Sequence, residues 1–566
     1  MIYTIAGWIF LVITLVVCIA FNHPKLHETA NDSRKKHLYI CTGIFAAGCI
    51  VRILMLGTLP NGPTAEEALA AVQGKTLWQT GHFLGCEHLT TLLPQWNGEN
   101  AGPLLSVLTA PFVGLFGINA LTARIPLVLL SILSMLAMYG IGKELGGAVL
   151  GKYMLLLQAI SPYFVLSTRL TASANAAVFL LPIAFYAAVR GFRQKGWLYV
   201  GAILLACLAY TYDLFFFIAP LFMLGLMIVS VVYKRFRMHG IFAAVIGLVL
   251  LCPAMLTAWI NLSDGEAFSL MGLIDIPKVE SFNKANWIGA RMMGSDNPYN
   301  VVVSQFWNAV FCGGIMQHIA HENINSAVIA PEGFYALYMI GFPLMLLGGM
   351  ELLRRRFAGN GSENERGKGT FILFGAISTA VMILLFGSVG FVDYSGTTYC
   401  YDYSSFFFFD AVLMAWGLAQ IEGKSRKGSN ILVGLLGLNF AFLCFFLFGG
   451  EYQRAMNVSF PDYRDASRKA YEIQGERGYK VCFTDEVYPH ISPDQASEVL
   501  YLYSADADMR EEGRAYTTFY PPMFEELEPD EIYIIQSMDA GNWDLDAFDY
   551  FEYDRYSVVA PPVKIE

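Results

Sequence analysis

The chain predicts an all-α polytopic membrane protein with about twelve transmembrane helices and a small C-terminal extracytoplasmic α/β domain. Three observations carry this reading. The 566 residues are 55% hydrophobic and 15% charged, with a mean hydropathy of +0.47, a composition that no water-soluble fold hides. Apolar runs approaching the roughly twenty residues that cross a bilayer recur up to residue 450. Beyond that point the runs stop. Residues 451–566 hold 25 Asp and Glu against 10 Lys and Arg, a balance of −15, while the rest of the chain is +5.

In chain order, hydropathy places the spans at 2–21, 38–57, 120–141, 147–166, 173–190, 197–212, 214–233, 240–260, 334–353, 370–391, 404–421 and 430–449. The first lacks the basic flank and small-residue cleavage site of a signal peptide, so it reads as an anchor. The stretch 358–369 is polar and reads as a linker. The aromatic content, 14%, suits rings seated at a membrane interface.

Basic clusters fall at every second loop: Lys25 with Arg34, Lys35 and Lys36; Lys143; Arg190, Arg193 and Lys195; Lys234, Arg235 and Arg237; Arg354, Arg355 and Arg356; Lys424, Arg426 and Lys427. By the positive-inside rule those loops are cytoplasmic. The N-terminus, the loops 58–119, 261–333 and 392–403, and the tail are then outside, in a plasma membrane. Two domains follow: a transmembrane part, 1–450, and the acidic tail, 451–566. The tail mixes helical windows (463–474, 495–504) with strand-like runs (480–484, 531–536, 556–560). Its acidity argues against nucleic acid and against anionic lipid as partners. A solvated cap packed on the outer loops is its plainest role. The ten cysteines have no metal-ligand spacing. Six lie in apolar runs, and Cys86, Cys312, Cys400 and Cys482 lie in loops, where a disulfide is conceivable.

The first outer loop carries the densest pattern of polar groups. It opens "LPNGPTAEEALAAVQGKTLWQTG". Thr64 suits a helix N-cap and Glu67 completes a capping box, so 66–79 reads as a surface helix with Glu66 and Glu67 in its first turn. Acids favour helix N-termini through capping and the dipole alone, which is the simplest account of the pair. The spans themselves are nearly free of charge. Asp213 and Asp410 are the main exceptions, both near the outer ends of their spans, and no polar track crosses the membrane as a transporter requires.

That opening, followed by "PQWNGENAGPLLSVLTAPFVGLFGINALTARIPLVLLSILSMLAMYGIGKELGG" and "ISPYFVLSTRLTASANAAVF", resembles the C-type glycosyltransferase superfamily. The branch is that of protein O-mannosyltransferases and the lipid A aminoarabinose transferase. The resemblance covers 52–191 in residues and the remainder in layout. It implies transfer of a sugar from a polyprenyl-phosphate donor to a cell-envelope acceptor at the outer face, by a single inverting displacement. It also implies no cofactor and no metal ion. The acidic pair of that branch falls on Glu66 and Glu67, with Glu66 where an Asp is usual as the catalytic base and Glu67 as the second candidate.

Arg169 ("STRLTASAN") and Arg124 ("TARIP") match recurrent arginines of the branch, and with Lys75 and Arg291 they are the cations implied for the donor phosphate. For each, a snorkelling interface anchor is the alternative. Trp96, Glu99 and Asn100 match its second surface stretch, implied for the sugar or acceptor; an interface ring and a helix cap are the alternative. His82 and His88 flank Cys86 without zinc spacing, and His318 and His321 lack a third ligand. No arginine stands between Arg366 and Arg426, where related enzymes often place one, and Asp393, Asp402 and Asp410 make that region acidic. A non-catalytic scaffold for envelope assembly and a transporter of lipid-linked substrate are the competing readings.

Overall fold

The computed structural model describes residues 32–60, 62–63, 65–93, 101–233, 237–263, 265–278, 341–357, 363–382, 404–449, 460–483, 493–510, 516–518 and 527–562. The expected span at 2–21, the loop 392–403, and Arg291, Trp96, Glu99 and Asn100 lie outside the described residues.

Helices make up the first part: α1 (Asp32–Ile53), α2 (Ala65–Thr80), then a two-residue strand β1 (Leu89–Thr90), α3 (Leu104–Phe116), α4 (Ala120–Gly146), α5 (Ala148–Ile160) and the single turn α6 (Pro162–Leu166). There follow α7 (Ser173–Gly191), α8 (Gly196–Cys207), α9 (Phe215–Val232) and α10 (Arg237–Leu262), the short strands β2 (Phe268–Leu270) and β3 (Ile274–Ile276), and α11 (Gly341–Phe357), α12 (Glu363–Met382), α13 (Ser404–Lys424) and α14 (Arg426–Phe448). Among the described residues, six helices are long and apolar enough to cross a membrane: α1 over Lys36–Ile53, α4, α7, α9, α10 and α14. The shorter apolar helices are α3, α5 and α8 with its 3-10 continuation to Tyr210. The protein is thus a mostly helical, multi-pass membrane protein. Of the expected twelve spans, those six meet the length and composition test among the described residues.

Three departures from the expected spans have local causes. The span expected at 147–166 is broken. Pro162 holds Ser161 in an extended conformation (φ −63, ψ 129), which ends α5 at Ile160. Helix α3, read as part of a loop, is an apolar segment of 13 residues whose Leu105, Ser106, Thr109 and Val113 are buried. The polar linker expected at 358–369 instead starts α12 at Glu363. There Lys368 is buried against Glu144 of α4 at 2.5 Å, so a charge the sequence offers to water is used inside the bundle.

The bundle packs α4 on α5 and α7, α8 on α7 and α10, α9 on α10 and α12, and α11 on α13. A Cβ on Gly142 would stand 2.6 Å from the Gly151 backbone, so small residues let α4 and α5 touch. The densest contact is aromatic. Phe185 of α7 has Phe222, Phe371, Phe408 and Phe409 around it at centroid distances of 5.0 to 5.2 Å, mixing edge-on, stacked and tilted pairs. A three-stranded sheet, β1-β3-β2, ties the loop after α2 to the segment after α10.

The tail builds α15 (Phe460–Arg477), β4 (Lys480–Phe483), α16 (Pro493–Ala505), β5 (Tyr516–Thr518), β6 (Glu531–Gln536), β7 (Asp549–Tyr553) and β8 (Tyr556–Ala560). The sheet order is β5-β4-β6-β8-β7, parallel through β5, β4 and β6 and antiparallel through β8 and β7. Alternation along β6 sorts its side chains between two apolar clusters. Ile532 and Ile534 join Tyr463, Ala466 and Ala470 of α15, while Tyr533 and Ile535 join Cys482, Leu527 and Val559.

The ring cluster sets a stability expectation. Phe185→Ala should cost about 3–5 kcal/mol, read as a lowered unfolding temperature in detergent. Phe445→Ala, on a side chain 70% exposed on α14, should stay within about 0.5 kcal/mol. Equal losses at the two positions would contradict this account of the core.

Candidate active site

The site is built where α1 ends. The last carbonyls of any helix lack intrahelical donors, and in an apolar setting each must find one. Here three fully buried arginines supply them. Arg52, in the last turn of α1, donates to the carbonyls of Gly48, Gln158 and Ala159 and to Ser131 Oγ. Arg169 donates from Nη2 to Val51 O and Leu54 O, both at 2.7 Å, and from Nη1 to Leu59 O at 3.2 Å. Arg124 donates from Nη1 to Leu56 O and Pro60 O and from Nη2 to Gly62 O, at 2.8 to 3.0 Å. A cation at a helix C-terminus also suits the macrodipole.

The break after α5 is what frees Arg169 to turn back onto α1. The residue sits beyond α6, in a non-helical stretch, and its guanidinium lies 5.4 Å from the Phe448 ring of α14. Arg124 rides on α4, whose start is fixed by a capping box: Asn119 accepts from Leu121 N and Thr122 N, and Thr122 Oγ1 accepts from Asn119 N.

Arg124 then reaches Glu67. Its Nε stands 2.7 Å from Glu67 Oε1 and its Nη2 donates to Oε2 at 3.0 Å, with both side chains at 0% exposure. The pair thus combines one charge-assisted hydrogen bond with a second close ion contact. Glu66, one residue earlier at the start of α2, is partly exposed. The two adjacent acids therefore have different environments. Glu67 is locked into the ion pair, and Glu66 stands half-buried in the first turn of α2.

Lys75 lies two turns along α2, 8% exposed, and takes part in a different contact: its Nζ reaches Asp506 of the tail at 2.5 Å. Three of the sequence-derived site residues thus lie on α2, Glu66, Glu67 and Lys75, and Arg124 and Arg169 reach it or the turn before it from α4 and from the stretch after α6. Arg52 was not singled out by sequence reasoning, although an arginine inside an apolar run is itself a signal. Asp506 and Tyr503 of the tail were also not singled out, and no local pattern marks them.

Beside α2, His88 Nδ1 stands 3.2 Å from Asp275 Oδ1, joining β1 to β3. The free thiol of Cys86 is pushed up to about 11 by burial and then by the Asp275 carboxylate. Among the described residues, no group of three or more His, Cys, Asp or Glu side chains is placed to hold a metal ion.

No protein-family profile and no curated protein matches the sequence. Solved structures do. ArnT from Cupriavidus metallidurans bound to undecaprenyl phosphate superposes with a TM-score of 0.53 at 10% identity, over 95% of this chain and 99% of that one. Its apo state gives 0.52 at 11% identity, over 94% and 100%. The Archaeoglobus fulgidus oligosaccharyltransferase in complex with Zn and sulfate gives 0.50 at 12% identity, over 92% of this chain and 74% of that one. The chain shares its fold with these two membrane proteins.

The two acids should separate in a stability measurement. Arg124→Ala strands a buried carboxylate and three carbonyls and should cost about 3–5 kcal/mol, lowering the unfolding temperature or the yield of folded protein. Glu66→Gln should stay within about 0.5 kcal/mol of wild type. A similar loss in both would mean that Glu66 is as much a structural residue as Glu67.

Proposed function

We propose that the chain is a glycosyltransferase that moves a sugar from a polyprenyl-phosphate donor to a cell-envelope acceptor at the extracytoplasmic face of the plasma membrane. Its N-terminus and its tail, 451–566, are placed outside. The observation that carries this reading is the division of the acidic pair on a fold shared with a structure bound to undecaprenyl phosphate. Glu67 is held by Arg124, and the partly exposed Glu66 is carried on the helix that the pair anchors.

In the proposed reaction the acceptor hydroxyl gives its proton to Glu66 as its oxygen attacks the anomeric carbon. The bond from that carbon to the phosphate oxygen breaks, the polyprenyl phosphate leaves with the electron pair, and the anomeric centre inverts. Charge grows on the leaving phosphate and calls for cations. Arg291 is assigned to that role, while Lys75, bound to Asp506 on the far side of α2, acts on the position of the helix. Arg169, whose Nη donors end on carbonyls, contributes positive potential from behind the loop, and Arg124 adds less because Glu67 offsets its charge. Trp96, Glu99 and Asn100 are assigned to the sugar or the acceptor. No metal or other cofactor takes part. Glu67 serves by holding α2 in place, with its own carboxylate as the reserve base.

Membranes supplied with labelled polyprenyl-phosphate sugars should pass label to an envelope fraction. Glu66→Gln should lower the rate by about 10²-fold or more. The product should carry the inverted anomeric configuration by NMR, and EDTA should leave the rate unchanged. Transfer from no donor by folded protein would favour a non-catalytic scaffold or a carrier of lipid-linked substrate. Full transfer by Glu66→Gln would move the base elsewhere. A cysteine added at the C-terminus should react with a membrane-impermeant maleimide in intact cells, and protection there would reverse the assigned orientation.

A further inference from the structure

Helix α2 is held from behind by the tail. Just past α16, Asp506 adopts a left-handed conformation (φ 50) that turns its side chain and its carbonyl onto Lys75. Lys75 Nζ donates to Asp506 Oδ1 at 2.5 Å and to Asp506 O at 2.8 Å, and the same Oδ1 accepts from Ile118 N at 2.9 Å, in the corner between α3 and α4. Three residues later, Met509 N donates to Gln79 Oε1 at 2.9 Å, one turn further along α2. The apolar side of α2 (Ala68, Ala71, Val72) shares one cluster with Tyr463, Leu500 and Tyr503 of the tail. Buried Tyr503 also lies within electrostatic reach of Glu67 and Arg124.

Helical phase gives these contacts a consequence. At about 100° per residue, Lys75 lies nine residues and so about 180° around α2 from Glu66. Ala68, Ala71, Val72 and Gln79 fall within about 60° of that same line. The tail therefore covers the face of α2 opposite Glu66, and Arg124 grips the flank through Glu67. Rotation of α2 about its axis is set by the tail on one side and the ion pair on another, while buried Ala70 and Gln73 pack on the side that carries Glu66.

We propose that Asp506 is a positioning residue: through Lys75 it fixes the seat and rotation of α2, and so the aim of Glu66. This rests on the reading of Glu66 as the base. The acidic tail is then part of the machinery for placing the base as well as a solvated cap, and removing one carboxylate outside the transmembrane bundle reaches the reaction without touching donor or acceptor.

The test uses full-length protein in lipid nanodiscs, comparing wild type, Asp506→Ala and Asp506→Asn. Hydrogen exchange of the α2 amides should rise about tenfold in Asp506→Ala, while β4, β6 and β8 keep their protection. In Asp506→Asn, which keeps an oxygen for Lys75 and Ile118 but loses the charge, it should rise about threefold. With a labelled polyprenyl-phosphate sugar as donor, kcat should fall in the same order with the donor KM within twofold. Asp506→Asn keeps the side-chain shape and carries the comparison should the alanine variant not fold. Unchanged α2 exchange, or a defect confined to KM, would overturn the proposal. A wild type that transfers nothing would instead overturn the glycosyltransferase reading, and the exchange data would still decide whether Asp506 seats the helix.

Discussion

The ion pair between Glu67 and Arg124 is the constraint on which the site depends. Both side chains are removed from water, and a pair so placed is tolerated only when its remaining donors and acceptors are met, because desolvation offsets most of the Coulomb attraction. Both Nη groups of Arg124 are spent on Leu56, Pro60, Gly62 and Glu67, and its Nε faces Glu67 Oε1 as a close ion contact. A single guanidinium therefore ties the end of α1, the turn after it and the start of α2 into one arrangement. The neighbouring Glu66 inherits a defined position from the helix that this arrangement anchors.

The same requirement explains features that look unrelated in the sequence. The helix break at Ser161 and Pro162 gives up a continuous span, and in return Arg169 can satisfy the carbonyls at the end of α1 that have no helical donor. Arg52 does this from within α1 itself, reaching across to Gln158 and Ala159 at the end of α5. Three arginines, one from α1, one from α4 and one from the stretch after α6, converge on backbone oxygens. In an apolar surrounding an unmet carbonyl costs several kcal/mol, so these contacts are strongly held.

Helix α2 distributes its faces by phase. One face belongs to the tail, through Lys75, Gln79 and the small residues Ala68 and Ala71, which let the tail approach closely. A flank belongs to Arg124. The bundle and the five-stranded sheet consequently share one apolar cluster, so the segment that differs most in composition from the rest of the chain is packed against the site. An acidic surface with a buried apolar underside is what such a cap requires: charge faces water, and Leu500 and Tyr503 of α16 share an apolar cluster with the helix.

By itself the sequence determined the membrane character, the long apolar helices such as α4 and α10, the acidic helix at 66–79 and the strands at 480–484, 531–536 and 556–560. Each of these is a local property: hydropathy summed over a window, apolar spacing along a helix, or alternation along a strand. It also led to Arg124, Arg169, Lys75 and the acidic pair, through residues that resemble a known superfamily. Only the tertiary structure decided what these groups touch. Nothing near Glu67 in the chain distinguishes it from Glu66; a partner 57 residues away does. The contact of Lys75 with Asp506 spans 431 residues. Ion pairs and shared cores are settled by which surfaces lose water together, and that depends on the packing of distant elements, which no local pattern encodes.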